Sequence, residues 1–240
     1  MPHGDPAFGR SESLSRREIL AYTAAFGSAF LASQGLAGET EKAAAPAEAP
    51  SKRYAMKKSI NLWALPYPQK MTLKQCLELC KEAGFDGVEV NYALEGDISP
   101  AASDADLKAI GALARKIGIE ISGVCSFLFW PYALTHADAE RRKKGLELAL
   151  KMIHAAPLLG TENLLVVPGA TYVPWIENDP PVPFEVCDAR AKEAVRAMIP
   201  AAEKAGVFLN LENIFINGFL HSPQEMNAFV DGFQSDRVQV

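Results

Sequence analysis

Cysteine and histidine are both scarce in this sequence, at four residues each in 240. Four cysteines, with no Cys-x-x-Cys pair among them, exclude a disulfide-rich scaffold and argue against a structural zinc site. Four histidines leave little room for a His-rich site that holds several metal ions. The sequence therefore lacks the pattern of a small disulfide-rich protein and disfavours a zinc-finger protein.

Positive charge is also in short supply. The 24 lysines and arginines are outnumbered by 29 aspartates and glutamates, which gives a formal net charge of −5. Nucleic-acid-binding proteins usually present a basic face, so no nucleic-acid partner is expected. A hydrophobic fraction of 49% and a charged fraction of 22% exclude a wholly disordered, collagen-like or coiled-coil chain. The length allows one core of about 200 residues or two smaller ones.

A long, strongly apolar run is missing as well. The uncharged segment 19–38 is only moderately apolar, which is weak for a membrane span. Arg16 and Arg17 precede it, and this pattern resembles a twin-arginine export signal, with a possible cleavage site at 35–37. We therefore expect residues 1–38 to be a signal segment that sends the folded protein to the periplasm, with no stable span after cleavage. The alternatives are an uncleaved membrane anchor and an unrelated extension.

Residues 39–58 are rich in alanine, proline and glutamate and have almost no large apolar side chains. This composition is typical of a disordered linker. The folded part of the chain is therefore expected to span residues 59–240.

From residue 59 onward, short apolar runs alternate with longer helical patterns. A glycine follows four of the helical patterns, as expected for helix C-terminal caps, and Thr72 and Ser222 are expected to be N-caps. This alternation predicts parallel strands joined by helices. The predicted strands are Ile60–Leu65, Gly87–Asn91, Ile119–Val124, Asn163–Val167, Val207–Glu212 and Val238–Val240, and the predicted helices are Thr72–Ala83, Asp104–Ile117, Asp138–Leu159, Asp188–Ala205 and Ser222–Phe233.

The spacing of these strands favours a closed barrel over an open doubly wound sheet. No Gly-x-Gly-x-x-Gly motif follows the first strand, so a dinucleotide-binding sheet has no support. Successive strands start about 35 residues apart, and eight such units would need about 280 residues, the size of a (β/α)8 TIM barrel. The sequence therefore predicts about the first five and a half units of such a barrel. An unclosed barrel would expose strand edges and an apolar interior, which predicts poor solubility or a homo-oligomer.

Polar residues stand at the ends of two predicted strands, where the reactive groups of such barrels lie. Glu212 ends the fifth strand and Asn213 follows it, while Glu89 and Asn91 share one face of the second strand. A carboxylate there is costly unless it is paired, hydrogen-bonded or bound to a metal. Glu212 is the candidate catalytic residue, and the other three are candidates for substrate binding. A solvated rim carboxylate at 212 and a buried ion pair at 89 are the alternatives.

Aromatic residues near the strand ends are candidates for a substrate wall. Trp63 lies on the first predicted strand, and Trp130 belongs to an aromatic run, 127–132, after the third. Aromatic rings pack against the apolar faces of sugars, although packing onto the barrel or a subunit contact is the alternative. The long loop 172–183 is expected to be a lid or a simple insertion.

Several of these segments together resemble the xylose isomerase-like TIM barrels. They are Gly84–Val90 (GFDGVEV), Ser122–Val124 (SGV), Val166–Gly169 (VVPG) and Leu211–Asn213 (LEN). The resemblance implies a metal-dependent sugar isomerase or epimerase, acting on a sugar, a sugar phosphate or a hydroxy-keto acid, that transfers a proton through an enediolate.

That resemblance also implies a divalent metal at the barrel mouth, Mn²⁺, Mg²⁺ or Co²⁺. Glu212 matches the ligand at the end of strand five, whereas the positions of the other three ligands fall beyond Val240. A second glutamate, common six residues later in ketose 3-epimerases, is replaced here by Gly218. Glu212 is thus expected to be both a metal ligand and the proton-transferring group, and a small sugar-like molecule is the expected partner.

Two other functions remain open at this point. One is a non-catalytic carbohydrate-binding protein or an inactive truncated barrel, because three of the four implied ligands are missing. The other is a nuclease resembling endonuclease IV. That activity would need a His-rich site for three metal ions and a basic groove, and the net charge of −5 and the four histidines argue against both.

Overall fold

The computed structural model describes residues 56–176, 180–214 and 216–240. The predicted signal segment, 1–38, and all but the last three residues of the predicted linker lie outside the described residues. In the described part, six parallel strands form one sheet in the order β1 to β6. This confirms the predicted α/β class and agrees with a partial TIM barrel. The strands are β1 Ser59–Asn61, β2 Gly87–Asn91, β3 Glu120–Cys125, β4 Asn163–Val166, β5 Phe208–Leu211 and β6 Val238–Gln239.

Five α-helices connect consecutive strands in the described part of the chain. Thr72, Ser103 and Ser222 form capping boxes at the starts of α1, α2 and α5, so the predicted caps at Thr72 and Ser222 are confirmed. None of the described helices is long and apolar enough to cross a bilayer. The helices are α1 Leu73–Glu82, α2 Asp104–Ile117, α3 Ala139–Leu159, α4 Phe184–Ala205 and α5 Pro223–Asp231.

The core lies between the helices and one face of the sheet. Val88, Val90, Leu164 and Leu209 point from that face into the core and are fully buried, because alternate side chains of a strand point to opposite faces. Cys76 and Cys80, one helical turn apart on α1, belong to the same core. Hydrophobic packing therefore fixes which face of each strand is left for chemistry.

The opposite face, called here the inner face, is polar. Most of its side chains are half-buried amides, hydroxyls and carboxylates, and Leu165 and Phe208 are its half-buried apolar members. The prediction of an exposed apolar interior is therefore wrong for the described sheet. Polar pairs bridge strands of this face, so these groups satisfy one another. The bridging pairs are Ser59 with Ser122, Asn61 with Glu89, and Asn163 with Asn210.

The first strand is shorter than predicted. It ends at Asn61, and Leu62–Ala64 forms a short 3-10 helix instead of continuing the strand. The Asn61 side chain accepts a hydrogen bond of 2.8 Å from the backbone N–H of Trp63, which caps the new helix. The chain therefore turns away from the sheet where the apolar pattern alone predicted further strand residues.

Candidate functional site

The carboxyl ends of β1, β2 and β3 bring four side chains into one hydrogen-bonded group. The Asn61 amide nitrogen donates to Glu89 Oε2 and lies 3.2 Å from Cys125 Sγ. The Cys125 thiol donates to Asn91 Oδ1 over 2.9 Å. Asn61 therefore orients Glu89, while Cys125 orients Asn91.

A bulge in β3 makes this group possible. Val88 pairs with Ile121, but Glu89 pairs with Gly123, so Ser122 is the extra residue in the ladder. A shift of one residue exchanges the two faces of a strand. Without the bulge, Asn91 would lie opposite the buried Val124 instead of Cys125.

Gly123 leaves room for the carboxylate beside it. A Cβ atom at this position would lie 3.5 Å from Glu89 Oε1, and a larger side chain would extend into the same space. The sequence motif Ser-Gly-Val therefore has a local purpose, because its serine forms the bulge and its glycine makes space for Glu89.

Glu212 lies at the same carboxyl end of the described sheet, after β5, whereas Glu89 lies on β2. It follows β5 directly, and its backbone N–H donates to the Val166 carbonyl over 2.9 Å, which continues the ladder beyond the strand. Desolvation raises the pKa of its carboxyl, and the negative charge of Glu89 raises that pKa further. A carboxylate with a raised pKa is a stronger base than a free carboxylate, which favours a role for Glu212 in proton transfer.

The Cys125 thiol is a hydrogen-bond donor and not a nucleophile. Burial raises its pKa to about 12, with the charge of Glu89 as the next contribution. A thiol with this pKa is neutral at pH 7, and only the thiolate is strongly nucleophilic. Its contribution is therefore the hydrogen bond to Asn91.

Four aromatic rings, called here the aromatic row, border this site. Trp63 contacts Phe127 edge to face at 5.7 Å between ring centroids, Phe127 contacts Trp130 at 6.2 Å, and Trp130 contacts Trp175 at 5.2 Å. All four residues follow strands β1, β3 or β4, so the row lies at the carboxyl end of the sheet. Trp63, Phe127 and Trp175 are 53%, 54% and 44% exposed, whereas Trp130 is buried.

The predicted site residues differ in where they lie and what they contact. Glu89 and Asn91 join one network, Glu212 lies close enough to Glu89 to respond to its charge, and Trp63 and Trp130 belong to the aromatic row. Asn213 instead donates to the Leu220 carbonyl over 2.9 Å and so ties together the loop after β5.

Three members of the site were not found from the sequence: Asn61, Cys125 and Trp175. For Asn61 the available signal was a polar residue between Ile60 and Leu62 in an apolar run. For Trp175 the signal was its place in the loop expected to be a lid or an insertion. Cys125 carries no signal by itself, because its neighbours come from two other strands.

The described residues do not fit a divalent metal ion. Nowhere in the ranges 56–176, 180–214 and 216–240 do three or more His, Cys, Asp or Glu side chains form a group that could hold one. Glu89 and Glu212 supply carboxylate oxygens, which suit Mg²⁺ or Mn²⁺, but two side chains are too few for a stable site.

Solved structures with this architecture include sugar epimerases. A D-psicose 3-epimerase crystallised with D-fructose is 25% identical, with a TM-score of 0.62, and the match covers 76% of this chain and 62% of that one. A D-psicose 3-epimerase from Clostridium cellulolyticum H10 with D-tagatose is 24% identical, with a TM-score of 0.62 and the same coverage of both chains.

A third similar structure is a xylose isomerase-like TIM barrel protein from Mycobacterium smegmatis in complex with magnesium. It is 20% identical, with a TM-score of 0.55, and the match covers 77% of this chain and 63% of that one. This chain thus spans less than two thirds of the length of these three structures. Comparison with curated protein sequences gave no match.

The family itself is shown by a match to a sequence model of that family. A model of the xylose isomerase-like TIM barrel family matches residues 77–240, which include β2 to β6 and the residues Glu89, Cys125 and Glu212. The same residues form most of the parallel sheet and its polar inner face. The chain therefore belongs to the xylose isomerase-like TIM barrel family.

Proposed function

We propose that this protein is a sugar isomerase or epimerase that moves a proton on a carbon next to the substrate carbonyl. The observation that carries the proposal is a polar inner face on which β2 carries Glu89 and β5 is followed by Glu212, and the charge of Glu89 helps to raise the pKa of Glu212. The similarity to sugar epimerases of known structure supports the same class of reaction.

In this proposal, Glu212 removes the proton and returns it. A general base works best when its pKa lies near the working pH, and desolvation together with the charge of Glu89 moves Glu212 in that direction. Asn61 keeps Glu89 in place through its amide N–H. The Asn91 side-chain oxygen already accepts the Cys125 thiol proton, so its amide N–H groups are the ones left to donate to a sugar oxygen.

Loss of the proton produces an enediolate, whose negative charge needs stabilisation. The family resemblance implies Mn²⁺, Mg²⁺ or Co²⁺ for this task, and Glu212 would be one of its ligands. The described donor set does not fit such an ion, so no step of the proposal depends on it.

A non-catalytic carbohydrate-binding protein is the second candidate. It is favoured by the combination of a polar inner face with the aromatic row in described residues that do not form a metal site. Such a protein would bind a sugar without exchanging its hydrogens.

The test is hydrogen exchange into D-fructose and D-psicose by the 240-residue protein in D₂O, followed by ¹H NMR. We expect the carbon-bound hydrogen beside the carbonyl to exchange, and Glu212→Gln to slow this by about a hundredfold or more. Exchange that Glu212→Gln leaves unchanged would contradict the role of Glu212. Sugar binding without exchange would establish the second candidate instead.

Glu120→Gln is the matched control for this experiment. Glu120 begins β3, at the end of the sheet opposite the site, and forms an exposed ion pair with Lys57 at 2.6 Å. Exposed pairs of this kind contribute about 0–1 kcal/mol. The control therefore removes one carboxylate from the same sheet while exchange should continue at the wild-type rate.

Export through the twin-arginine pathway is proposed for the whole protein from residues 1–38. Replacement of Arg16 and Arg17 by lysine should abolish delivery of a reporter fused after the segment. Unchanged delivery would contradict the assignment.

A further inference from the structure

Two arginines from different helices share one carbonyl group in the loop after β3. Arg142, on α3, donates from Nη1 to the His136 carbonyl over 2.7 Å and to the Ala137 carbonyl over 2.9 Å. Arg190, on α4, donates from its own Nη1 to the same His136 carbonyl and to the Thr135 carbonyl, both over 3.2 Å. Because both nitrogens contact one oxygen, the two positive charges are close neighbours.

Ion pairs do not neutralise these two charges. Among the residues that the structure describes, no carboxylate forms an ion pair with either arginine, whereas nearby lysines are paired: Lys144 with Glu147 at 4.0 Å and Lys192 with Asp188 at 2.6 Å. Both arginines are half-buried, so solvent screens their mutual repulsion only in part. An anion bound beside them would relieve this repulsion.

The two arginines line a cavity between α3 and α4, called here the α3–α4 cavity, with a volume of about 350 Å³. Lys143 adds a third positive charge to its lining, and Glu193 adds one negative charge. The charged groups that line the cavity therefore carry an excess of positive charge. The other lining residues are apolar, namely Leu134, Ala139, Leu146, Ala194 and Ala197.

Each guanidinium keeps donors for a ligand. An arginine side chain has five N–H donors in a planar fork, and the carbonyl contacts of Arg142 and Arg190 use Nη1 alone. Nη2 and Nε of each side chain are left to donate to an oxyanion. Because the carbonyl contacts already hold both side chains, little further side-chain entropy is lost when a ligand binds.

From these observations we propose that the α3–α4 cavity binds a phosphate monoester of a small organic molecule. Such a group carries a charge of about −1.5 to −2 at pH 7, which matches three cations offset by one carboxylate. Phosphate oxygens accept paired hydrogen bonds from arginine forks, and the carbon part of the ligand would contact the apolar lining. None of the lining residues belongs to the inner face, so this inference does not depend on the proposed function.

The test is calorimetric titration of the full chain with phenyl phosphate, benzoate and inorganic phosphate at about pH 7.5, above the second pKa of a phosphate monoester. We expect phenyl phosphate to bind about tenfold more tightly than benzoate, which carries a single charge, and about fivefold more tightly than inorganic phosphate, which lacks the ring. Failure of phenyl phosphate to bind at concentrations up to about 10 mM would overturn the inference. Equal affinities for phenyl phosphate and benzoate would overturn the choice of a phosphate ligand.

A phosphorylated side chain of another protein has the same phosphate chemistry, so a short phosphoserine peptide is titrated as well. We expect it to bind more weakly than phenyl phosphate, because serine has no apolar group beside its phosphate to contact the lining. Tighter binding of the peptide would assign the cavity to a phosphorylated protein and overturn the small-molecule ligand.

Variants of single charges locate the binding site. Glu193→Gln should strengthen the binding of phenyl phosphate about threefold, a gain that loss of folding cannot produce, and Lys143→Gln should weaken it about threefold. Lys144→Gln is the matched control, because it removes the same charge at the next residue, which pairs with Glu147 and does not line the cavity. Equal weakening by Lys143→Gln and Lys144→Gln would contradict binding in the cavity, as would an unchanged affinity in Glu193→Gln.

Discussion

Asn61 shows how much of the site depends on one side chain. Its oxygen caps the 3-10 helix that carries Trp63, and its nitrogen contacts Glu89 and Cys125. The amide thus connects the aromatic row to the carboxylate on the next strand. A carboxylate at position 61 could still cap the helix but could not donate to Glu89.

Replacing Asn61 by alanine and by aspartate should therefore separate the effect of losing the cap from the effect of adding a charge. Asn61→Ala is expected to lower the free energy of unfolding by about 1–2 kcal/mol, since it removes a cap and a donor to a carboxylate. Asn61→Asp should lower the free energy of unfolding further at pH 7, because it places a new negative charge beside Glu89. Urea unfolding of both variants and the wild type measures this.

The pH dependence of the stability of the two Asn61 variants supplies the control. In the Asn61→Asp variant, repulsion between the introduced carboxylate and Glu89 acts only while both groups are charged. Its cost is therefore present at neutral pH and disappears as the carboxylates protonate. Below about pH 4, Asn61→Asp should be at least as stable as Asn61→Ala. A constant gap between the two variants from pH 7 to pH 3 would contradict the proximity of the two charges.

Glu212 gives a second prediction, in which the substitution stabilises the protein. Its pKa is raised in the folded protein, so the folded state binds more protons than the unfolded state between the two pKa values, and stability falls as pH rises through that window. Glu212→Gln removes this cost. The melting temperature should therefore rise at pH 7, by about 1–2 °C for this partly exposed group, and the gain should vanish below pH 4.

Thermal unfolding followed by circular dichroism at pH 3 to 8 is the measurement. Together with the hydrogen-exchange assay, it tests whether the same carboxylate that is expected to move a proton also lowers stability. A variant that is less stable than the wild type at pH 7 would show that Glu212 makes a favourable contact in the folded state.

At the scale of whole elements, α3 supports the loop that carries the aromatic row. Gly145 is buried in this helix, and a Cβ atom there would lie well inside contact distance of the Tyr132 carbonyl oxygen. Tyr132 follows Trp130 in the same loop. The missing side chain therefore lets the helix and the loop approach each other closely.

Gly145→Ala should destabilise the protein by about 2–3 kcal/mol, despite the higher helix propensity of alanine, because the clash is with rigid backbone. Lys144→Ala, at the exposed neighbouring position, should change stability by less than about 0.5 kcal/mol. Intrinsic tryptophan fluorescence during urea unfolding reports on the fold and on the aromatic row together. Equal stability of the two variants would contradict the close packing.

The elements themselves were largely predictable from local sequence. Residues that cap a helix act within one turn, so Thr72 and Ser222 could be recognised from a few neighbouring letters. The error at Leu62–Leu65 also has a local cause, since the capping bond of Asn61 competes with an apolar pattern that favours a strand. Element identity followed from periodicity, while this boundary depended on one side-chain bond.

At the scale of the molecule, the parallel sheet and its helices were predictable, but the group around Glu89 was not. Asn61, Glu89 and Cys125 come from three strands and meet only because a bulge in β3 sets their register. Register within a sheet depends on contacts between segments far apart in sequence. Glu212 could be recognised because it ends a strand, whereas the role of Cys125 depends on the register of three strands.

The polar inner face changes the expectation about association. An apolar interior would have predicted indiscriminate aggregation, but the described sheet instead exposes amides and carboxylates there. The surface left for association is the backbone of β1 and β6, because each of these strands is paired on one side only within the described sheet. An unpaired edge offers backbone N–H and C=O groups to another strand. Association is thus expected to be reversible, to depend on concentration and to occur through strand edges.

Analytical ultracentrifugation across a range of concentrations should detect this association and its weakening by Gln239→Lys, which places a charge on the β6 edge. Asn227→Lys adds the same charge at an exposed position of α5 and should associate like the wild type, which separates the edge from the net charge. A wild-type protein that stays monomeric at every concentration would contradict edge pairing. Equal weakening by both variants would assign the effect to the net charge of −5, since either lysine reduces its magnitude by one.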